Sequence, residues 1–296
     1  MFNLLLTGNT GFLGKTIEEI LKSEKFCVYG LENIGGKIDI TESFSLPDIS
    51  FDLVVHAAGK AHSIPKTPQE EKRFYDVNVQ GTKNLCSALE KLSMPPKFFI
   101  FISSVAVYGL ETGNEIDENA ELRGDSPYAK SKIQAEKFLH SWGLANNVSI
   151  LILRIPLIAG PNPPGNLGKM IKAIKKGRYI SINNGRARRS AILSEDIAIC
   201  VSKNFDRSGI YNLSDDVHPS FRDFEIIISK QLGKKMPLSL PVFAGKVLGK
   251  IGDILHLSFN SSMIIKMENN LTFSCKKAIK ELDWRPRPVT KYFRID

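Results

Sequence analysis

Apolar residues fall in short blocks along the first half of the chain, with helically spaced polar stretches between them. Leu4 to Thr7 is one such block and ends in glycine; Phe26 to Leu31, Asp52 to Val55, Phe98 to Ser103 and Val148 to Leu153 are four more. Between the first two, Phe12, Leu13, Thr16, Ile17, Ile20 and Leu21 recur at helical spacing. Glu70 to Leu92 reads as a long helix. Pro127, at a favoured first-turn position, opens another that runs to about Leu144. Strands that are apolar almost throughout have no face to turn to water. Their alternation with helices predicts an α/β fold, a parallel sheet covered on both faces.

Beyond Gly160 the pattern changes. Gly160-Pro161-Asn162-Pro163-Pro164-Gly165 marks a loop, and shorter elements follow. These are a basic helix around Gly168 to Lys175, a strand at Arg178 to Ile182, a helix from Ser194, a strand at Ile210 to Leu213 and a helix from Pro219 to Leu232. The expected division is a domain over residues 1–160, to which some later segments return, and a smaller α/β domain over 161–296. Leu240 to Leu257 is moderately amphipathic and carries lysines. Without a strong one-sided basic face it is expected to pack on the smaller domain rather than lie on a membrane.

Composition narrows the setting. With 296 residues, 43% of them hydrophobic, the chain can bury a large core. Its four cysteines (Cys27, Cys86, Cys200 and Cys275) lie far apart and form no CxxC pair, so neither a metal site nor a disulfide framework is expected. A reducing cytoplasm is the expected compartment. The start of the chain lacks the basic lead-in and small-residue cleavage site of a secretory leader. Phe98 to Leu110, the longest uncharged run near the middle, is too short to span a bilayer, so no integral membrane segment is expected. The net charge of +9 is scattered apart from clusters such as Arg186-Ala187-Arg188-Arg189, and no nucleic-acid-binding module accompanies it. A small anionic partner, a diphosphate above all, suits it better than nucleic acid.

Thr7-Gly8-Asn9-Thr10-Gly11-Phe12-Leu13-Gly14 follows a strand and opens a helix. Gly8 allows a tight turn, Gly11 lets backbone approach a pyrophosphate, and Gly14 lets the helix pack close to the sheet. Free N–H groups at the helix start then face the phosphates. Thr10, Phe12 and Leu13 belong to the same expected cofactor loop. Glu32, at the end of the second strand, is placed to accept hydrogen bonds from ribose hydroxyls and to repel a 2′-phosphate, which favours NAD over NADP. Asp39-Ile40 resembles a step that meets an adenine edge.

The second piece of chemistry is Tyr128-Ala129-Lys130-Ser131-Lys132, which puts Tyr128 and Lys132 on one helical face. A phenol that exchanges a proton near neutral pH must have its pKa lowered from about 10 toward 7, which takes about 4 kcal/mol. An ammonium one turn away and a positive nicotinamide ring together could supply that field. Ser103-Ser104 ends a strand, where a hydroxyl could hydrogen-bond a reacting oxygen.

The order of these pieces resembles the extended short-chain dehydrogenase/reductase family: glycine loop, acidic strand end, Ala57-Ala58-Gly59, Asn78-Val79-Gln80-Gly81-Thr82, Ser103-Ser104, then the Tyr128–Lys132 pair. Within that family it is similar to the NAD-dependent epimerase/dehydratases of nucleotide sugars. The resemblance covers nearly the whole chain and is strongest from Leu4 to Pro161. It implies a Rossmann-type doubly wound parallel sheet with a smaller C-terminal substrate domain. It also implies a catalytic triad of Ser104, Tyr128 and Lys132, an Asn78 that holds the active-site helix, and cofactor contacts from Ala57, Ala58 and Gly59. In the second half, Asn166 resembles a residue that touches the substrate's nucleotide, and Arg189, seven residues before Asp196, one that binds its diphosphate. Trp284-Arg285-Pro286 resembles the closing motif, and the helices over 70–92 and 127–144 resemble those that pair into a homodimer.

Two departures matter. Val105-Ala106 stands where dehydratases carry Asp-Glu, so 4,6-dehydration is not expected, and Leu157 stands where many epimerases carry asparagine. The run from His56 to His62 and the double arginine before Ser190 resemble 4-ketoreductases of amino sugars, with Lys60 and His62 expected near substrate. The expectation is therefore NAD-dependent chemistry at C4 of a nucleotide-linked hexose, with a UDP-hexose or UDP-N-acetylhexosamine 4-epimerase ahead of a 4-ketoreductase. A non-catalytic nucleotide sensor would have no need of the complete Ser–Tyr–Lys set.

Overall fold

A computed structural model describes residues 1–22, 25–34, 38–61, 63–254 and 260–295. The first half contains β1 (Phe2–Thr7), α1 (Phe12–Lys22), β2 (Phe26–Gly30), β3 (Leu53–His56), α2 (Pro68–Tyr75), α3 (Gly81–Leu89), β4 (Phe98–Ser104), β5 (Gly113–Ile116), α4 (Pro127–Asn146) and β6 (Ser149–Ile155). The second half adds β7 (Leu157–Ala159), α5 (Gly165–Lys175), β8 (Ile180–Ile182), β9 (Ala191–Leu193), α6 (Ser194–Asn204), β10 (Gly209–Asn212) and α7 (Phe221–Gln231). It ends with β11 (Leu238–Leu240), α8 (Val242–Ile254), α9 (Ser261–Glu268), β12 (Leu271–Phe273), α10 (Lys276–Glu281) and α11 (Val289–Tyr292).

Six strands form one parallel sheet in the order β2-β1-β3-β4-β6-β10. Alternate residues of its strands enter different cores. Leu4, Leu6, Val55 and Leu153 pack with Ile17 and Leu21 of α1 and Ile197 and Val201 of α6. Leu5, Val54, Phe99 and Ile152 pack with Leu85 and Leu89 of α3 and Ala135 and Leu139 of α4. Helices on both faces are what removed the polar alternation from these strands. The register sets the carboxyl ends of the strands side by side, with Thr7 opposite His56, and Ser103 and Ser104 opposite Arg154 and Ile155. In open α/β sheets that edge is where ligands bind.

The long helix expected over 70–92 is α2 and α3 joined by a π-helical turn, Asp76–Gln80, that turns Asn78 inward to full burial. It begins earlier than its apolar pattern shows, at Pro68, because Thr67 caps it by accepting from Glu70 N. The strand expected to reach Leu31 stops at Gly30, and Leu31–Asn33 forms a 3-10 turn. β9 went unforeseen: at three residues, Ala191–Leu193 is too short to show a period, yet it pairs with β7. α5, α7, β9 and the last helix share a separate core that includes Leu167, Ile171, Phe224, Ile228 and Phe293. α8 packs on α9 at Gly249 and on Ile182 of β8 at Gly245. Among the described residues no helix is long and apolar enough to cross a membrane.

Candidate active site

The glycine loop is built for close approach. Gly8 has φ +71°, and a Cβ there would come 2.7 Å from the Ala58 nitrogen, so the turn out of β1 lies directly against the end of β3. A Cβ on Gly14 would collide with the Gly8 carbonyl oxygen, so glycine lets α1 begin tight on its own loop. Gly11 N donates to Gly8 O at 3.0 Å. Thr10 and Gly11 are exposed at the tip, while Phe12 and Leu13 are half-buried behind it. No acidic residue occupies the first turn of α1. Asn9 is buried against Gly30, and its Oδ1 has no hydrogen-bond partner among the described residues. An open helix N-terminus, a cradle that any side chain would fill and an unanswered buried acceptor fit a dinucleotide. Glu32 is exposed in the turn after β2. Asp39 Oδ1 accepts from Thr41 N and Oγ1, and Ile40 lies against Gly81 at the start of α3.

Behind the loop runs a buried polar chain. Ala58 N donates to Thr7 Oγ1 at 3.1 Å, and Thr7 Oγ1 lies 2.6 Å from His56 Nδ1. His56 Nε2 is 2.9 Å from Thr82 Oγ1, whose hydroxyl donates to Asn78 O at 2.8 Å. Since Thr82 spends its proton on Asn78, the network assigns the imidazole hydrogen to Nε2 and leaves Nδ1 to accept from Thr7. Burial, with the Lys132 charge, lowers the His56 pKa to about 3, so the ring is neutral.

Asn78 clamps two elements together. Its Oδ1 accepts from Lys60 N at 2.7 Å, and its Nδ2 donates to Lys60 O at 3.1 Å and to Ser131 Oγ at 2.9 Å. Ser131 in turn donates to Tyr128 O. A Cβ on Gly59 would come within 3.2 Å of Asn78 Oδ1 and 3.3 Å of Lys132 Nζ. Lys132 Nζ donates to Ile102 O at 2.8 Å and stands 4.4 Å from the Phe101 ring centre. Burial lowers the Lys132 pKa to about 8, against a smaller raising effect of Glu136.

Tyr128 sits in the first turn of α4 beside Ser104, whose hydroxyl accepts from Ala106 N at 3.2 Å. Burial pushes the phenol above its ordinary pKa, and Ser104 pulls it down. The Lys132 ammonium is held by Ile102 O, and desolvation is the larger influence on the phenol. Phe74 lies edge-on to Tyr128 at 6.3 Å, and Lys60 Nζ lies 5.3 Å from the Phe74 ring centre.

One cluster escaped the sequence reading. Glu136, a turn beyond Lys132, forms a buried ion pair with Arg154 of β6 at 2.7 Å and accepts a hydrogen bond from Ser103. Arg154 also donates to Tyr108 Oη at 3.0 Å, and Tyr108 donates to Asn212 Oδ1 of β10 at 2.7 Å. The signal was present in Leu151-Ile152-Leu153-Arg154-Ile155, where one cation interrupts an apolar strand.

The residues expected at the substrate are placed differently. Asn166 is exposed in the first turn of α5. The Arg189 guanidinium donates to Asn269 O at 2.6 Å, to Arg188 O at 2.9 Å and to Lys266 O, so it caps the end of α9. His62 lies outside the described residues. The fold thus brings together Gly8 with Ala58, Gly59 with Asn78 and Lys132, and Ser104 with Tyr128. Among the described residues no hydrogen bond joins Asn166 or Arg189 to them.

Residues 4–213 match the model of the NAD dependent epimerase/dehydratase family. Over 277 residues, 86% of this chain and 80% of the relative, it is 30% identical to an N-acetyl-alpha-D-glucosaminyl-diphospho-ditrans,octacis-undecaprenol 4-epimerase of Escherichia coli O157:H7. It is 26% identical to a UDP-glucose 4-epimerase of Vibrio cholerae, across 96% of this chain and 90% of that one. The structure of RMD from Pseudomonas aeruginosa complexed with NADPH shares its fold, with a TM-score of 0.76 at 20% identity over 98% and 96% of the two chains.

Proposed function

The chain belongs to the NAD dependent epimerase/dehydratase family, and from that premise we propose that it is a 4-epimerase of diphosphate-linked sugars, UDP-hexoses or UDP-N-acetylhexosamines first among them. The observation that carries this reading is the Gly59–Asn78–Lys132 cluster at the carboxyl edge of the sheet, bonded through Ser131 to the turn of α4 that bears Tyr128. NAD, when bound in the glycine loop, supplies a reversible acceptor for the hydrogen at C4. Tyr128 takes the proton from the C4 hydroxyl and returns it, and Ser104 orients that oxygen. Asn78 and Ser131 fix the first turn of α4, so the phenol keeps its position through both half-reactions. Exposed Glu32 beyond β2 favours NAD over NADP.

The named activities of the two curated relatives support a sugar on a diphosphate as the shared substrate chemistry. Asn166 and Arg189 are proposed at the nucleotide end, residues 1–160 as the cofactor domain and 161–296 as the substrate domain. The cytoplasm is the proposed compartment, and a homodimer through α2, α3 and α4 the proposed assembly.

A second reading, single reduction of a 4-keto sugar, is favoured by Leu157, which stands where many epimerases carry asparagine. The discriminating measurement is the cofactor released from purified protein by denaturation, followed by turnover of UDP-sugars. Stoichiometric NAD with interconversion of C4 epimers is the expected result. A protein that takes up NADPH reversibly and reduces only 4-keto sugars would replace the epimerase by the reductase.

A further inference from the structure

α8 leaves a face that the described chain does not cover. The helix turns Gly245 and Gly249 inward, where a Cβ would come 2.9 Å from Ile182 and 3.0 Å from Ile264 respectively. Its outer side carries Phe243, Val247, Ile251 and Ile254 at three- and four-residue spacing, so they share one stripe. Their exposures are 74%, 57%, 44% and 74%. A helix that only packs on its own domain does the opposite and shows its polar side to water.

Cations flank this stripe. Lys250 is exposed on the helix itself, and Lys234 and Lys235 on the approach to β11, while Lys246 is paired with Glu268 at 3.1 Å. The helix's acid, Asp253, is bonded to Ser261 N at 3.1 Å. β11, which leads into α8, accepts at Ser239 Oγ a hydrogen bond from Asn184 N at 2.9 Å. Asn184 lines a cavity of about 450 Å³ together with Arg186, Arg188, Ser220, Asp223 and Arg222, the last paired with Glu225 at 3.2 Å.

We propose that this face docks on an anionic lipid surface, with α8 in the headgroup plane, its apolar stripe toward the acyl chains and the basic groups on lipid phosphates. Charge decides between this occupant and a second copy of the chain. A second copy would set lysines against lysines on a molecule of net charge +9, whereas an anionic bilayer offers apolar depth and negative charge together. The docking does not depend on the reaction assigned above, because vesicles report the one and a soluble UDP-sugar the other.

The test is co-sedimentation of the full chain with vesicles of phosphatidylglycerol and phosphatidylcholine, and with vesicles of phosphatidylcholine alone. Binding is expected with the first, weakened by salt and slight with the second. Phe243→Glu combined with Ile251→Glu should lower the bound fraction about tenfold or more. UDP-sugar turnover and the elution volume in size-exclusion chromatography should be unchanged. Lys250→Glu, a surface change that leaves folding intact, should weaken binding in low salt only. Absence of wild-type binding to the anionic vesicles, or binding that the double variant retains, overturns the proposal. A double variant that elutes as a smaller species also overturns it and assigns the face to a second copy. Vesicle binding without turnover in any form would leave the docking in place and remove the epimerase reading.

Discussion

The two ends of the expected site are held in different ways. At the reacting end, residues far apart in sequence bond to one another. Asn78 reaches Ser131, His56 joins Thr7 to Thr82, and Glu136 ties α4 to β4 and β6. At the substrate end, Asn166 stands exposed at a helix start, and Arg189 is engaged with backbone carbonyls of α9 and its own neighbour. A position fixed by several long-range bonds is set before any ligand arrives. Arg189 shares that long-range anchoring through Asn269 O and Lys266 O, whereas Asn166, exposed in the first turn of α5, can be re-aimed by a local change of sequence.

The contrast can be broken by experiment. Glu136→Ala would leave Arg154 charged and unpaired in the core and should cost about 3–5 kcal/mol of stability, read by denaturant unfolding. A loss under 1 kcal/mol would mean that the reacting end is not held by this pair. Tyr128→Phe should lower turnover of a UDP-sugar about 10²-fold or more with an unchanged unfolding midpoint. Unimpaired turnover would remove the phenol from the mechanism. Asn78→Ala strands a buried hydroxyl and the Lys60 backbone and should cost about 1–3 kcal/mol, with kcat falling more than KM rises.

Arg189→Ala sharpens the other half. As a cap on the end of α9 the side chain should contribute up to about 2 kcal/mol, seen as a lower melting temperature. A tenfold rise in KM without any change in melting would show that the guanidinium leaves the helix end to meet substrate. A further effect concerns pH. His56 has its folded pKa lowered to about 3, so the unfolded chain binds its proton more readily between pH 6.5 and 3. Stability is therefore complete above pH 6.5 and falls as pH drops toward 3, and His56→Gln should flatten that limb of a melting-temperature profile. An unaltered limb would assign the acid sensitivity to other groups.

The uneven legibility of the sequence follows the same division. The strands β1, β3, β4 and β6 showed as apolar runs because both faces are buried, and the glycine loop showed because turn geometry demands glycine at fixed places. Tyr128 and Lys132 showed as a pair because one helix carries both. Glu136 with Arg154 did not, because their partnership crosses from a helix to a strand and no periodicity marks it. The orientation of Arg189 was equally hidden, since the carbonyls it meets lie some 80 positions later. The apolar outer stripe of α8 was partly visible as amphipathicity. What the pattern could not tell was which side faces inward, and Gly245 and Gly249 decide that by letting the backbone approach closely.

The bond from Tyr108 to Asn212 has a consequence for the order in which the chain takes shape. Its partners are 104 residues apart, and Asn212 belongs to the outermost strand of the sheet. While the protein is being synthesised, β1 to β6 leave the ribosome well before that strand exists. Until it docks, Tyr108 lacks its acceptor, and the Arg154 cluster beneath Ser104 is open along one side. A nascent chain halted before Gly209 would carry Ser104, Tyr128 and Lys132 without a closed wall behind them. Completion of that wall is thus a late event in biosynthesis, timed by a strand that carries none of these three side chains.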